Sequence, residues 1–287
     1  MSLLVGTRAG AFSVGDTTDE LIGGTRVNHM CRDDSGWWAV DGKGRIHHNG
    51  EVVTSLSDAA ALCIQPSPET VWIGASEARL YAFEHGEVTE DEFFAAAPDR
   101  ESWYTPWGAP ADVRSMTLDA DHTLYVNVHV GGSLRYDNTG VVPTLDISAD
   151  VHQVAAHPSQ KGAVFASTAR GLAASHNGHD FDFRTEGLHA PYCRALTVLE
   201  DRVLFSASTG PRTNRGRLYS CPLWEEDIAP LSGGLPEWFD DNVDTHCLVS
   251  DGSTVHVGHD DEVWRSDDAG ESWAQLIGGL SGITCLA

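Results

Sequence analysis

The side chains best suited to chemistry in this chain are arginines, histidines and aspartates that recur in a short repeated pattern. The pattern occurs seven times, and its third residue is a histidine or an arginine in five copies, namely His29, Arg114, His152, Arg194 and His246. Three copies carry an aspartate two residues earlier, at Asp112, Asp150 and Asp244. Arginine binds carboxylates and phosphates through paired N–H donors, neutral histidine ligates divalent metals, and aspartate or histidine can act as a general acid or base. The pattern therefore indicates a binding or catalytic site.

The pattern itself is a run of strand-forming residues. Its copies recur about every 40 residues and begin at Val27, Ala59, Asp112, Asp150, Tyr192, Asp244 and Ser281. After each copy come a turn, a second apolar run, a hairpin and a third run, which predicts about four short strands per repeat. This period is typical of a β-propeller. No segment shows sustained helical periodicity, so we expect very little helix.

The repeat predicts an all-β, seven-bladed β-propeller with four-stranded blades, formed by residues 1–287 as one domain. We expect the N- and C-terminal segments to pair in one blade and so close the ring, because this pairing leaves no free sheet edge. The predicted blades begin near residues 282 or 283, 27, 59, 112, 150, 192 and 244.

A propeller usually has its binding site at one mouth of the central channel, and the repeated polar residues are expected to lie there. The innermost strands begin at the face that also receives the loops between the second and third strands. In this chain those loops add Arg8, Lys43, Glu77, His129, Arg170, Arg212, Arg215 and His259. The whole chain has only 18 lysines and arginines, so the mouth concentrates a large share of its positive charge.

Two ligand classes fit this set of residues. The first is a small anion, bound by forked hydrogen bonds from guanidinium groups; its binding residues would be Arg8, Arg114, Arg170, Arg194 and His129. The second is a divalent metal, with each histidine oriented by a neighbouring aspartate; its ligands would be His29, His152 and His246, together with His129. No other cofactor is indicated.

A purely structural alternative remains open, in which the three aspartates pair with the histidines and arginines in a closed polar ring. If the protein is instead an enzyme, its acid and base candidates are Asp112, Asp150, Asp244, His152 and His246. Nucleophilic catalysis is not indicated, because the chain has no Gly-x-Ser-x-Gly motif.

The composition is strongly acidic. The chain has 42 acidic and 18 basic residues, a formal net charge of −24, and two lysines, Lys43 and Lys161. Such a surface is typical of a salt-accumulating halophile, where high ionic strength screens the self-repulsion. It excludes nucleic-acid binding, because no broad basic face is present. The chain shows no apolar run long enough to span a membrane, no signal peptide and no disulfide motif, so we expect no membrane partner and a cytoplasmic location.

One segment carries a family resemblance. Ser266-Asp-Asp-Ala-Gly-Glu-Ser-Trp273 resembles the Asp-box, a hairpin of BNR-repeat propellers such as sialidases and sortilin-type domains, and residues 136–140 and 175–178 resemble eroded copies. In this hairpin Asp268 is expected to accept backbone hydrogen bonds, Gly270 to take a positive φ and Trp273 to cover the turn. The resemblance, to a halophilic archaeal type, implies the propeller fold. Sialidase activity is not expected, because the Arg-Ile-Pro motif is missing and sialidases have six repeats.

Two long loops, residues 89–111 and 222–242, carry clusters of aromatic residues. Loops of this length are often functional, and these two could bind a protein partner. The sequence therefore predicts, first, binding of a small anionic ligand such as a carboxylate, a sugar acid or a phosphate at the channel mouth. The alternatives are a glycoside hydrolase or lyase acting at the same mouth, and a non-catalytic protein-interaction scaffold that uses the aromatic loops.

Overall fold

Short runs of β-branched and aromatic residues, separated by turns rich in glycine and aspartate, form almost all of the regular structure. The structure is a computed structural model that describes residues 2–105, 107–137, 140–280 and 282–287. Within these residues 28 strands form seven four-stranded antiparallel sheets around an axis. The prediction of an all-β, seven-bladed propeller with four-stranded blades is therefore confirmed.

The strands of the first half of the chain are β1 (Leu3–Thr7), β2 (Gly10–Val14), β3 (Thr18–Gly23), β4 (Val27–Asp33), β5 (Gly36–Asp41), β6 (Arg45–His48), β7 (Glu51–Ser55), β8 (Ala61–Pro66), β9 (Val71–Ala75), β10 (Arg79–Glu84), β11 (Glu87–Glu90), β12 (Val113–Leu118), β13 (Leu124–Val128), β14 (Gly132–Asp137) and β15 (Gly140–Leu145). The strands of the second half are β16 (Val151–Ala156), β17 (Val164–Thr168), β18 (Gly171–Ser175), β19 (Asp182–Arg184), β20 (Tyr192–Val198), β21 (Arg202–Ser208), β22 (Arg217–Pro222), β23 (Ala229–Pro230), β24 (Leu248–Asp251), β25 (Thr254–His259), β26 (Glu262–Ser266), β27 (Ala274–Gly278) and β28 (Ile283–Leu286).

The two ends of the chain close the ring in blade 1. Its sheet order is β28-β1-β2-β3, and β28 pairs antiparallel with β1, with Val5 opposite Leu286 and Gly6 opposite Cys285. Blades 2 to 7 follow in chain order, four strands each, beginning with innermost strands β4, β8, β12, β16, β20 and β24. The predicted closure by both termini is confirmed, and it removes the free edges that an open blade would present.

Blade 7 begins later than the sequence pattern predicts. The prediction placed an innermost strand from residue 244, whereas β24 begins at Leu248. Asp244–Cys247 instead form a turn, closed by a hydrogen bond of 3.0 Å from the Cys247 N–H to the Asp244 carbonyl. His246 has a φ of +66° in this turn, a left-handed conformation that cannot continue a strand. Asp244 and His246 therefore reach the channel from a turn.

The blades pack on one another through their buried faces. Val5, Val113, Phe165 and Val257 are among the fully buried side chains of these layers. All six cysteines are free thiols, and five of them are buried, with Cys31 partly exposed. Buried free cysteines of this kind pack as small apolar side chains.

In the part of the chain that the structure describes, helix is confined to short turns. One α-helical turn, α1 (Glu92–Ala95), begins at the cap residue Asp91, whose carboxylate accepts a 2.7 Å hydrogen bond from the Phe94 N–H. Three 3-10 turns lie at Ser76–Ala78, Arg100–Ser102 and Ile147–Ala149. None of these helices has the length and apolar character needed to cross a membrane.

The hairpin at Ser266–Trp273 has the interactions that its sequence predicts. The Asp268 carboxylate accepts hydrogen bonds from the Ser272 N–H at 2.8 Å and from the Ser266 hydroxyl at 2.8 Å. Gly270 has a φ of +93°, and buried Trp273 donates its indole N–H to the Gly270 carbonyl. In segment 175–178, Oδ1 of Asn177 has the corresponding role, because it accepts hydrogen bonds from the N–H groups of His179 and Asp180. The copy at 136–140 includes residues 138 and 139, which lie outside the described residues, as do Ser281 of the last pattern copy and Pro106 of the first aromatic loop.

Candidate functional site at the channel mouth

A β-bulge near the start of the innermost strand determines which side chains reach the channel mouth. In six of the seven blades, counted over the described strands, the pairing of this strand with its neighbour shifts register near the mouth. The residues in these bulges are Asn28, Leu62, Arg114, His152, Thr284 and, in blade 6, Arg194 with Ala195. A bulge re-aims the extra side chain out of the regular alternation of a strand. Four of these residues (Asn28, Leu62, Arg114 and Thr284) line one cavity of about 220 Å³ at the mouth.

The bulge separates residues that the sequence pattern treated as equivalent. In blade 2 the bulge residue is Asn28, so His29 lies one residue beyond it, inside the channel. The His29 Nδ1 accepts a 3.1 Å hydrogen bond from the Ile64 N–H, and its ring stacks on His246 with 3.8 Å between centroids. His246 lines both the mouth cavity and a second cavity of about 560 Å³ further along the channel. The stacked pair therefore lies between the two cavities.

The neutral form of both stacked histidines is favoured by their surroundings. Burial lowers the pKa of His29 well below its usual value, and the neighbouring His246 lowers it further. Burial likewise lowers the pKa of His246 to about 4. The Nε2 of His246 lies 3.1 Å from the Arg114 carbonyl oxygen, so this nitrogen carries the proton. Both histidines of the stacked pair hydrogen-bond to backbone groups. Within the described residues, the structure therefore does not bring His29 and His246 together with His152 as one set of metal ligands.

Two arginines from different blades meet at one carboxylate oxygen. Arg114, in the bulge of β12, and Arg194, in the bulge of β20, each donate a 2.9 Å hydrogen bond to Oδ1 of Asp244. Arg114 also donates from Nε to the Thr245 hydroxyl at 3.1 Å, and Arg194 contacts the Tyr192 hydroxyl at 3.3 Å. Burial alone would raise the pKa of Asp244, but the two guanidinium groups bring it down to about 2. Asp244 is therefore a carboxylate at neutral pH.

A second group of side chains lies beside this centre. The Nε2 atoms of His129 and His152 each lie 3.7 Å from Oδ1 of Asp150, and this is the one set of three metal-competent side chains that the described residues bring together. Burial, and then Arg114 and Arg194, lower the pKa of His129 to about 3. Burial lowers the pKa of His152 well below its usual value and raises that of Asp150. Both imidazoles are therefore neutral at pH 7.

Asp112, Arg8 and Arg170 occupy different places around the mouth. Asp112 lines the 220 Å³ cavity with Arg114; its Oδ1 accepts a 3.2 Å hydrogen bond from the Glu77 N–H, and burial raises its pKa. Arg8 is exposed on the turn between β1 and β2. Arg170 lies further out, where it contacts the Ser148 hydroxyl and the Phe183 ring on the outer strand β19.

Sequence reasoning missed one basic residue of the mouth. Arg26 lines the 220 Å³ cavity and donates a 3.0 Å hydrogen bond from Nε to the Asn28 side chain. The signal was present: Arg26 directly precedes β4 as Asp112 precedes β12 and Asp150 precedes β16. The equivalence of Arg26 with Asp112 and Asp150 is visible only when the seven copies of the pattern are aligned on their bulge residues.

The two aromatic loops differ in exposure. The first loop exposes Phe93, Tyr104 and Trp107, and the Trp107 ring lies 5.5 Å from the His129 ring, beside the mouth. In the second loop Phe239 is buried, Trp224 stacks on His176 at 3.7 Å, and Trp238 packs against arginines 215 and 217. The first loop therefore presents three of its aromatic rings to solvent while Phe94 is buried, whereas the second loop packs its rings onto the blades.

Comparison with known proteins shows similarity at the level of fold. No family model and no curated protein matches the chain. It is similar to virginiamycin B lyase from Staphylococcus aureus, with a TM-score of 0.61, 11% identity, and coverage of 87% of this chain and 83% of that one. It is also similar to a putative 6-phosphogluconolactonase from Bacteroides uniformis, with a TM-score of 0.61, 11% identity and coverage of 100% and 98%. An ancestral GH74 enzyme gives a TM-score of 0.65, 11% identity and coverage of 97% and 40%. At these identities the similarity establishes a β-propeller.

Proposed function

We propose that the channel mouth binds a small anionic ligand, such as a carboxylate, a sugar acid or a phosphate. The observation that carries the proposal is the convergence of Arg114 and Arg194, from two blades, on one oxygen of Asp244. The Arg114 side of this centre opens on the 220 Å³ cavity, whose wall also contains Arg26. Guanidinium groups that converge from separate elements are suited to bind a carboxylate or phosphate with fixed geometry.

The arginines keep donors for a ligand. A guanidinium has five N–H donors, and the hydrogen bonds of Arg114 to Asp244 and Thr245 use two of them. The Arg114 side chain remains 23% exposed. The Nε of Arg194 is buried and has no hydrogen-bond partner within the described residues. Because the Nε of Arg194 is buried, it is the remaining donors of Arg114, in the cavity wall, that support binding of a further acceptor beside Asp244.

The local charge also supports an anion. Arg26, Arg114 and Arg194 are cationic, and Asp244 is the carboxylate that pairs directly with two of them. Burial raises the pKa of both Asp112 and Asp150. In a chain of net charge −24, three guanidinium groups balance three carboxylates at the mouth, so an anion meets less repulsion there than over the chain as a whole.

Cavity size favours a ligand of few atoms. The cavity holds about 220 Å³, below the range of roughly 300–1,000 Å³ in which drug-sized ligands bind. The exposed Trp107 ring beside His129 offers a flat surface on which a sugar or aromatic part of the ligand could pack.

The proposal is tested by calorimetric titration with inorganic phosphate, acetate and glucuronate, at low and high KCl. The variants are Arg114→Lys and Arg194→Lys, which keep the charge and lose the forked donors. We expect each to weaken binding of the tightest ligand at least tenfold. The matched control is Arg202→Lys, whose guanidinium pairs with Asp201 and Glu271 on the outer surface. Equal affinity in all three variants would refute an anion site at Arg114 and Arg194.

A second candidate is acid–base catalysis at the same mouth by a hydrolase or lyase. It is supported by Asp112, a carboxyl group in the wall of the anion cavity whose pKa is raised by burial, the direction that suits a general acid. Propellers of similar structure include a lyase, a GH74 enzyme and a putative lactonase. The test is turnover of lactones and of glycosides of sugar acids, with Asp112→Asn expected to abolish turnover while leaving anion binding in place.

A further inference from the structure

We propose that His129, Asp150 and His152 form a site for a divalent transition metal such as Zn²⁺. The ligand atoms would be Nε2 of each histidine and Oδ1 of the aspartate. This inference goes beyond the anion site at Arg114 and Arg194 and does not depend on it. It also differs from the metal set that the sequence predicts, because His29 and His246 stack on each other and bond to backbone groups.

The separations of the three ligand atoms fit a tetrahedral ion. Both Nε2–Oδ1 distances are 3.7 Å, and all three atoms lie within 4.8 Å of one another. A tetrahedral zinc ion with bonds of about 2.0–2.2 Å requires neighbouring ligand atoms to lie about 3.3–3.5 Å apart. The two histidine–aspartate separations are therefore within a few tenths of an ångström of ligand geometry, and the two histidines, at most 4.8 Å apart, would close on the ion. The same 3.7 Å separation is too long for a direct hydrogen bond.

His152 is oriented as a metal ligand. Its Nδ1 lies 2.5 Å from the Cys193 carbonyl oxygen, which fixes the proton on Nδ1 and leaves the lone pair on Nε2. A backbone carbonyl that holds the second ring nitrogen is a recurrent partner of metal-bound histidine. His152 is fully buried, and neither its Nε2 nor Oδ1 of Asp150 has a hydrogen-bond partner in the described part of the chain. Two buried acceptors that face each other without a partner are unfavourable unless a cation or a proton donor lies between them.

Two irregular stretches of backbone bring the ligands together. His152 occupies the bulge between Val151 and Gln153. Asp150 has a φ of +47° at the end of the 3-10 turn Ile147–Ala149. Backbone in the left-handed region is costly outside glycine and is often found at functional sites. His129 directly follows β13, and its N–H donates a 2.8 Å hydrogen bond to the Asp112 carbonyl, which fixes the third ligand.

The charges that face the group have opposing effects. Arg114 and Arg194 disfavour a nearby cation, while Asp244 pairs with both and offsets part of their charge. Neutral imidazole is the form of histidine that binds metal. His129 also lines the anion cavity, so a fourth coordination position on that side would be accessible to water or to a bound anion.

The experiment is a titration of EDTA-treated, full-length protein with Co²⁺ in phosphate-free buffer, followed by visible absorption, and with Zn²⁺ by calorimetry. We expect one equivalent to bind, with the absorption of a tetrahedral Co²⁺ complex. His152→Ala, Asp150→Asn and His129→Ala should each weaken binding at least tenfold. His256→Ala is the control, because that histidine lines the second cavity, of about 560 Å³, and not the mouth. Melting temperatures identify variants that do not fold, and the isosteric Asp150→Asn keeps the test valid if the histidine variants fail.

Arg114→Gln separates this inference from the proposed anion site. Removing that cation should abolish or weaken anion binding and should leave Co²⁺ affinity unchanged or raised. Failure to bind either metal would overturn the inference and would mean that a water or a proton lies within the group. Binding that persists equally in Asp150→Asn and His129→Ala would also overturn it, since the metal would then be held elsewhere, for example by the thiols.

Discussion

The carboxylate of Asp244 provides the sharpest test of how the mouth recognises its ligand. In Asp244→Asn the side chain keeps its shape and loses its charge, so Arg114 and Arg194 lose the group at which they converge. Two effects of opposite sign are expected from this one change. The folded state should become less stable, and the affinity for an anion should rise because a competing negative charge has been removed.

Both effects can be estimated from the geometry. Two charge-assisted hydrogen bonds of 2.9 Å are weakened, but the Asp244 side chain is 51% exposed, so water screens the pair. We expect a loss of about 1–2 kcal/mol in the free energy of unfolding. An anion bound on the far side of the same guanidinium would lie ~6 Å from Asp244, where the repulsion is about 0.7 kcal/mol in water and about 2.8 kcal/mol at an effective dielectric constant of 20. Removing it should tighten anion binding about 3- to 100-fold.

The assay combines calorimetric titration with phosphate or glucuronate and urea unfolding of the same samples. Asp201→Asn is the matched control, because Asp201 pairs with Arg202 on the outer surface; it should change neither the anion affinity nor its salt dependence. Weaker anion binding in Asp244→Asn would refute the reasoning, since Asp244 would then contact the ligand as an acceptor or hold the arginines in their binding geometry.

Two further predictions concern pH and packing. The folded pKa of His246 is about 4 and lies below the unfolded value of about 6.5, so the unfolded chain binds more protons and stability should fall as pH decreases from 6.5 to 4. His246→Gln should reduce this part of the pH dependence of the melting temperature; an unchanged slope would contradict the assignment. Gly178 has a φ of +68°, and a Cβ there would lie 1.8 Å from the Tyr125 hydroxyl. Gly178→Ala should therefore lower the free energy of unfolding by more than about 1 kcal/mol, measured in urea, whereas Gly86→Ala, which has a similar φ and open space, should cost less.

The fold was predictable because its signals are local and repeated. Each blade shows the same order of apolar runs and turns, and the predicted innermost strands begin within about two residues of the observed ones in every blade except blade 7. There, Asp244–Cys247 form a turn that the pattern does not distinguish from a strand, since its residue types resemble the other copies. The left-handed φ of His246 depends on neighbouring blades and is not visible in composition.

The site was only partly predictable, since one residue of register decides which face a side chain occupies. The pattern placed Arg114, Arg194 and Asp244 at the same mouth, and the structure joins them in one hydrogen-bonded centre. It also grouped His29 with His152, whereas the bulge assigns the mouth position of blade 2 to Asn28. A bulge adds a residue without a strong sequence signature, so alignment by residue type alone could not detect the shift.

The register shift at the bulges also explains why the mouth and the channel interior differ in chemistry. In a regular strand, adjacent side chains point to opposite faces, and a bulge resets this alternation at one residue. In blade 4 the reset brings Arg114 to Asp244, and in blade 5 it brings His152 to Asp150. In blade 2 it leaves His29 inside, stacked on His246 and shielded from the mouth. Arg114 and His152 are thus turned toward the carboxylates of the mouth, whereas the stacked His29 and His246 lie between the two cavities of the channel. In each of the three blades, the position of the side chain follows from where the backbone departs from regular pairing.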